Sequence, residues 1–505
     1  MGGYLIFRAT NWGPWAFSDS SAYLSAARNI QAGNGAVILN SSGAFTPVTE
    51  FPPLYPYILN LLTSKNGDFQ TTARWINIIS FTISAFIVGL LGFKASRNMI
   101  AGFFASTLFA FSPVMIDTFS GFMSEPLFIG LLLLLVFILF EFVQSQKKRL
   151  LIPIFIISAL LPMTRYAGIL FVICVSIILV IFTNKKSQKS ILLIPLYLLI
   201  SLAPIGIWFI DQYTNLNKVG GKSFVFRLEA IKNMFGSIMQ EFRIIQGWIP
   251  YSGIYSSTDI NFALVVFFTG LFFISVLIGV SASIKKWKFR TENPQFLFMI
   301  CMFFLIAYIL FIGFTHNLTI PNLDIIDRMM APIYPFLILT LILGFGDLDK
   351  NIVAKSLGGL LILVAIISSR FYLLSTLSSI RELNADGKGF TSRQYQESEF
   401  LEKLIALPLD QPMISNSAAF VLFHTNRYPY PVEQFHNKPF GSGNSYGEKP
   451  FRQKNASLII IFPEFRNYYG KNSDQLLKTL TAGLRVDFKD ELGGIYYYPE
   501  SITPQ

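Results

Sequence analysis

Four acids and two arginines stand where an otherwise apolar chain turns polar. The first acid lies in Trp15-Ala-Phe-Ser-Asp19-Ser-Ser-Ala-Tyr23-Leu-Ser-Ala-Ala-Arg28-Asn-Ile, which reads as a short polar helix. Asp19 belongs at or next to the helix N-terminus, where the macrodipole favours a negative charge. Tyr23 is four residues on and shares its face. A carboxylate so placed can take a proton from a hydroxyl within hydrogen-bond reach. Asp117-Thr-Phe-Ser-Gly-Phe-Met-Ser124-Glu125-Pro126 sits between two apolar runs. Ser124-Glu125-Pro126 also makes a good helix start, so capping competes with chemistry for Glu125. Thr164-Arg165-Tyr166-Ala-Gly168 breaks an apolar run with an arginine. Its plain reading is snorkelling to the interface. Its chemical reading is phosphate binding, because a guanidinium offers a planar fork to phosphate oxygens. Asp327-Arg328-Met-Met-Ala-Pro332-Ile-Tyr-Pro335 opens another run, with a local Asp–Arg pair as the plain account.

These residues need a scaffold, and composition says what kind. Of 505 residues, 52% are hydrophobic and only 14% are charged. An average soluble domain is about 25% charged, so the chain reads as a polytopic α-helical membrane protein. The net charge of +11 would suggest nucleic acid in a soluble protein. Here it follows from Lys and Arg in cytoplasmic loops, and no nucleic-acid partner is implied. Cys174 and Cys301 both lie inside apolar runs and read as small core residues. No Walker lysine loop, HExxH or GxSxG occurs, and His316, His424 and His436 are too scattered for a metal site.

Spans are expected at about Thr72–Phe93, Met99–Ile116, Pro126–Val143, Leu150–Met163, Ala167–Thr183, Ile191–Ile210, Phe262–Ile284, Phe296–Thr315, Met329–Gly346 and Val353–Leu374. Only a handful of apolar residues precede Arg8, so an N-terminal helix upstream is expected, or a start outside. Basic residues such as Lys147/Lys148/Arg149 and Lys185/Lys186/Lys189 fall on every second loop, which makes those loops cytoplasmic. The alternate loops, among them 8–72 and 211–261, are then external. Residues 224–243 have an amphipathic pattern, with Phe224, Val225, Phe226, Leu228, Ile231, Met234, Phe235, Ile238, Met239 and Phe242 interleaved with Arg227, Glu229, Lys232 and Arg243. A helix lying in the outer interface and a loop helix packed on the bundle both fit it.

This topology collects Asp19, Glu50, Asp117, Glu125, Arg165, His316, Asp324, Asp327 and Arg328 on the external face. Ionisable residues at membrane level are functional candidates by default. The expectation is an acidic and basic cluster lining an external cavity. Whether Asp19, Asp117 and Glu125 share a divalent cation is left open by their spacing. From Arg381 the composition shifts. Short strands at Pro412–Asn416, Ala456–Phe462 and Gly493–Pro499 alternate with helical patterns at Ser398–Ala406 and Ser473–Ala482. That reads as a small α/β domain at 381–505, beside a membrane domain at 1–380.

With these residues in view, the chain resembles the lipid-carrier-dependent GT-C glycosyltransferases, which include protein O-mannosyltransferases and the aminoarabinose transferases of lipid A. The matching pieces are Phe17-Ser-Asp19-Ser-Ser-Ala-Tyr23-Leu, Ala27-Arg28-Asn29-Ile, Phe51-Pro-Pro-Leu-Tyr-Pro56, Ser124-Glu125-Pro-Leu-Phe128, Thr164-Arg165-Tyr166-Ala-Gly168 and Asp327-Arg328 with Pro332 and Tyr334-Pro335. The ordered set covers about the first 340 residues. The stretch Gly387-Lys-Gly-Phe-Thr391 through Ile414-Ser-Asn416 looks like the soluble C-terminal domain of bacterial members. The resemblance implies a GT-C fold of about ten to eleven transmembrane helices with an extracytoplasmic α/β domain, in the inner (plasma) membrane. It implies transfer of a sugar from a polyprenyl-phosphate donor to a glycan, lipid or protein acceptor outside. It assigns the role of catalytic base or acceptor-orienting group to Asp19, and the lipid phosphate to Arg165 and, second, Arg328. Tyr23, Arg28, Asp117, Glu125, Tyr166, Asp327 and His316 are supporting, acceptor or metal candidates. Two departures stand: the short N-terminus, and a single acid where O-mannosyltransferases carry an Asp-Glu pair. The competing reading is a transporter or flippase of lipid-linked sugars. It predicts charges on both faces or within spans, and mid-span charges are nearly absent here.

Overall fold

The structure is a computed structural model. It describes residues 2–39, 44–65, 67–182, 188–216, 221, 223–225, 228–248, 258–286, 295–320, 322–345, 370, 372–432 and 456–497. The chain packs into two units: residues 1–9, 49–55 and 74–382, and residues 10–48, 56–73 and 383–505.

The first unit is helical. Every span expected up to residue 346 but Met99–Ile116 coincides with a helical run: Phe69–Ser96, Glu125–Ser145, Leu151–Thr164, Gly168–Phe182, Gln188–Leu216, Thr258–Lys286, Gln295–Leu318 and the run from Asp327 to Phe345. Most of the expected span Val353–Leu374 lies outside the described residues. Among the described residues, five helices are long and apolar enough to cross a membrane, or six with one bent pair. Their outward faces are apolar, as at Phe86, Leu199 and Ile207, which suits contact with lipid.

The expected span Met99–Ile116 is not one straight helix. It breaks after Ala110 and resumes as Pro113–Ser120, bent by 55°. Ser112 restarts it by accepting from the Met115 N–H, and Pro113 fixes the first turn where no donor is needed. The amphipathic stretch forms the helix Leu228–Gly247, which packs along Gln295–Leu318. Its inward face carries buried Ser237 and Glu241, while Phe235, Met239 and Phe242 point outward. Asn317 donates to Ser237 at 2.7 Å and fixes the register of the pair.

The second unit has a five-stranded sheet. Its order is Tyr430–Pro431, Met413–Ser415, Ser457–Ile461, Gly493–Tyr497, Arg485–Lys489. The first three strands run parallel, Gly493–Tyr497 runs against them, and Arg485–Lys489 pairs antiparallel with Gly493–Tyr497. Ile414, Leu458, Ile460, Phe465, Leu480 and Tyr496 form its core. Composition draws the domain line at 380/381, whereas packing also assigns most of loop 8–72 to this unit. The reason is a seat for the segment 12–17. Ala16 pairs with Gly389, and Phe390 donates its N–H to the Ala16 carbonyl at 2.8 Å. Thr391 donates to the Pro14 carbonyl, and Gln396 to that of Trp12. Gly389 is obligatory there. Its φ is +65°, and any Cβ would strike the Ala16 carbonyl. The Lys388 ammonium lies 4.5 Å from the centre of the Trp15 ring.

Candidate active site

Glu125 opens the helix Glu125–Ser145 after a tight turn at Gly121–Ser124. Buried Asn77 holds that turn by donating to the Gly121 carbonyl at 2.7 Å. Arg165 stands at the corner between Leu151–Thr164 and Gly168–Phe182. It leaves the helix in an extended conformation, and Gly168 closes the corner with an N–H to the Arg165 carbonyl at 2.8 Å. A side chain at Gly168 would collide with the Leu161 backbone. Arg328 lies in the short helix Asp327–Met330, whose Met329 carbonyl accepts from buried Tyr308 at 2.7 Å.

These three elements bring the charges together. Arg165 Nη1 is 2.6 Å from Glu125 Oε1, and Arg328 Nη1 is 3.8 Å from the same oxygen. Arg165 also reaches Ser124 Oγ at 3.4 Å and Met329 Sδ at 3.3 Å. The Glu125 side chain is 1% exposed, against 16% for Arg165 and 24% for Arg328. A buried carboxylate would be costly without such partners. The two contacts are ionic: neither Glu125 oxygen has a well-aligned hydrogen bond among the described residues. The cluster therefore presents guanidinium to the outside and hides its acid. Such a surface suits an anion with several oxygens, above all a phosphate.

Two flanking groups shape it. The Trp248 indole donates to Asp327 Oδ1 at 2.7 Å and its ring packs edge-on against Tyr334. Asp327 is thus engaged by Trp248 while Arg328 turns to Glu125. The Tyr372 hydroxyl in turn donates to the Trp248 carbonyl at 2.5 Å. Trp248 was not among the sequence candidates, although Gly247-Trp248 at the end of an amphipathic run was a visible signal. Tyr308 lies inside an apolar run with no local mark, and Glu241 within the amphipathic run is one charge among several.

The other expected residues are placed as follows. Asp19 lies in the first turn of the helix Ser18–Gln31 and is half-buried. Tyr23 of that helix is buried. Arg28 Nη1 donates to the Phe423 carbonyl at 3.1 Å, pinning this helix to Ala418–Thr425. Burial holds the Arg28 guanidinium below its usual range, with Asp68 partly opposing. All three belong to the second unit. Asp117 is half-buried on Pro113–Ser120. Tyr166 donates to the Thr49 carbonyl at 2.9 Å and packs its ring on Phe209. His316 bonds through Nδ1 to the Leu323 carbonyl, a loop-closing contact. No group of three or more His, Cys, Asp or Glu side chains that could hold a metal occurs among the described residues.

The chain shares its overall fold with ArnT. The crystal structure of ArnT from Cupriavidus metallidurans bound to undecaprenyl phosphate superposes with a TM-score of 0.59, covering 99% of this chain and 97% of that one at 11% identity. The apo form of the same protein gives 0.58, covering 98% and 96%, also at 11% identity. Residues 50–208 match the family profile described as dolichyl-phosphate-mannose-protein mannosyltransferase. No curated protein matches the chain.

Proposed function

We propose that this protein is a multi-pass membrane glycosyltransferase that uses a polyprenyl-phosphate-linked sugar. Arg165, assisted by Arg328, holds the donor phosphate. Asp19 takes the proton of the acceptor hydroxyl, the freed oxygen attacks the anomeric carbon, and the bond to the phosphate oxygen breaks. The electron pair leaves with the polyprenyl phosphate, whose developing charge the guanidiniums stabilise. The alternation of basic loops supports an extracytoplasmic site in the inner membrane. The acceptor is a glycan, lipid or protein on that side.

The observation that carries the reading is the pair of partly open guanidiniums over one buried acid, in a fold shared with a protein crystallised with undecaprenyl phosphate. Membranes containing the protein, given radiolabelled polyprenyl-phosphate sugar and an envelope extract, test it. Label should move into a non-lipid-carrier product. Label that crosses the vesicle bilayer still attached to its carrier would instead establish a flippase.

A further inference from the structure

Glu125 has no step in the proposed transfer, yet it is the most deeply buried charge of the cluster. One carboxylate faces two guanidiniums, at 2.6 and 3.8 Å, and sits behind them at 1% exposure. Two other acids on the surrounding elements have places of their own. Exposed Asp327 accepts from Trp248. Glu241 is buried against Gly313 of the neighbouring helix. A helix-start acid explains stability at this position but not why two arginines from separate segments converge on one of its oxygens.

We propose that Glu125 is a positioning residue that moderates the cluster's charge, so that the donor binds while the spent carrier is released. This rests on reading the cluster as a lipid-phosphate site. The donor is a phosphodiester with one negative charge. Once the sugar has left, the carrier is a phosphomonoester with a charge of about −1.5 to −2 at neutral pH. Coulomb attraction scales with the product of charges, so two uncompensated guanidiniums would hold the product harder than the substrate. A fixed carboxylate subtracts from both in proportion to their charge, and so about twice as much from the product. Its 2.6 Å ion pair also holds the Arg165 guanidinium in place.

The test uses detergent-solubilised full-length protein, with undecaprenyl phosphate and undecaprenyl-phosphate glucose as probes. Glu125→Gln and Glu125→Asn remove the charge, and Glu125→Asp keeps it. The neutral variants should bind both lipids more tightly, with a gain for the monoester near the square of that for the diester, about tenfold against about threefold. Where transfer is followed, they should complete a first turnover and then slow. Glu125→Asp should keep the wild-type affinity ratio. Neutral variants that weaken both lipids, or shift both by one common factor, overturn the proposal. Wild-type protein that binds both lipids but transfers no sugar removes the glycosyltransferase reading alone. Wild-type protein that binds neither removes both.

Discussion

Arg165 and Glu125 meet at 2.6 Å across the junction of two helix ends, with the carboxylate sealed from solvent. Removing one partner of such a pair leaves a buried charge uncompensated. Arg165→Met is therefore expected to cost about 2–3 kcal/mol of stability, less than a fully isolated acid would cost because Arg328 remains at 3.8 Å. Removing both charges as Arg165→Met with Glu125→Met should recover most of the loss. Unfolding of Arg165→Met, Glu125→Met and the double variant in detergent measures the cycle. A single variant as stable as wild type would show that the pair carries no structural weight.

Trp248 holds Asp327 through its indole N–H. Trp248→Phe keeps most of the ring packing against Tyr334 and loses that bond. The released carboxylate is then free to compete for Arg328. The expectation is a stability loss of about 1 kcal/mol and undecaprenyl phosphate binding weakened a few-fold. Unchanged lipid affinity would separate Trp248 from the cluster.

His424 gives the second unit a pH dependence. Burial pushes its imidazole down to about 4 from 6.5, with the Phe390 carbonyl opposing and Arg28 adding to the effect. Between pH 6.5 and 4 the unfolded chain binds a proton that the folded one refuses. Stability from this group thus falls as pH drops through that window, by at most about 3 kcal/mol. His424→Phe should flatten the melting-temperature profile there. An equally steep profile in the variant would assign the effect elsewhere.

Glu241 has the opposite sign. Burial pushes its carboxyl up to about 8, and neither oxygen has a hydrogen-bond partner among the described residues. From pH 4.5 to 8 the folded state holds a proton that the unfolded state releases, so this contribution weakens as pH rises. Hydrogen exchange in Leu228–Gly247 should quicken between pH 5 and 8, beyond the intrinsic rate, in wild type. The excess should be absent in Glu241→Gln. The same excess in both proteins would exclude Glu241 as the cause.

The spans were legible because lipid contact demands long apolar runs, and apart from the broken Met99–Ile116 each run up to Phe345 is helical where expected. The strands at 413–415, 457–461 and 493–497 were legible from short apolar segments between turns. The strand Arg485–Lys489 was not, because its exposed, charge-rich face hides the alternation. The break at Ser112-Pro113 was written in a helix-start signal that the apolar run around it masked. Glu125, Arg165 and Arg328 stood out because charge interrupts oil. Their convergence on a single oxygen depends on packing between segments far apart in sequence. So does the seat that ties Ala16 to Gly389, which no local pattern announces.

The account stands most directly on Asp19, in the first turn of Ser18–Gln31. Asp19→Asn keeps shape and removes the base. Transfer from a radiolabelled polyprenyl-phosphate sugar should fall by about 100-fold or more, with donor binding within a few-fold of wild type. Transfer at the wild-type rate in that variant would contradict the mechanism.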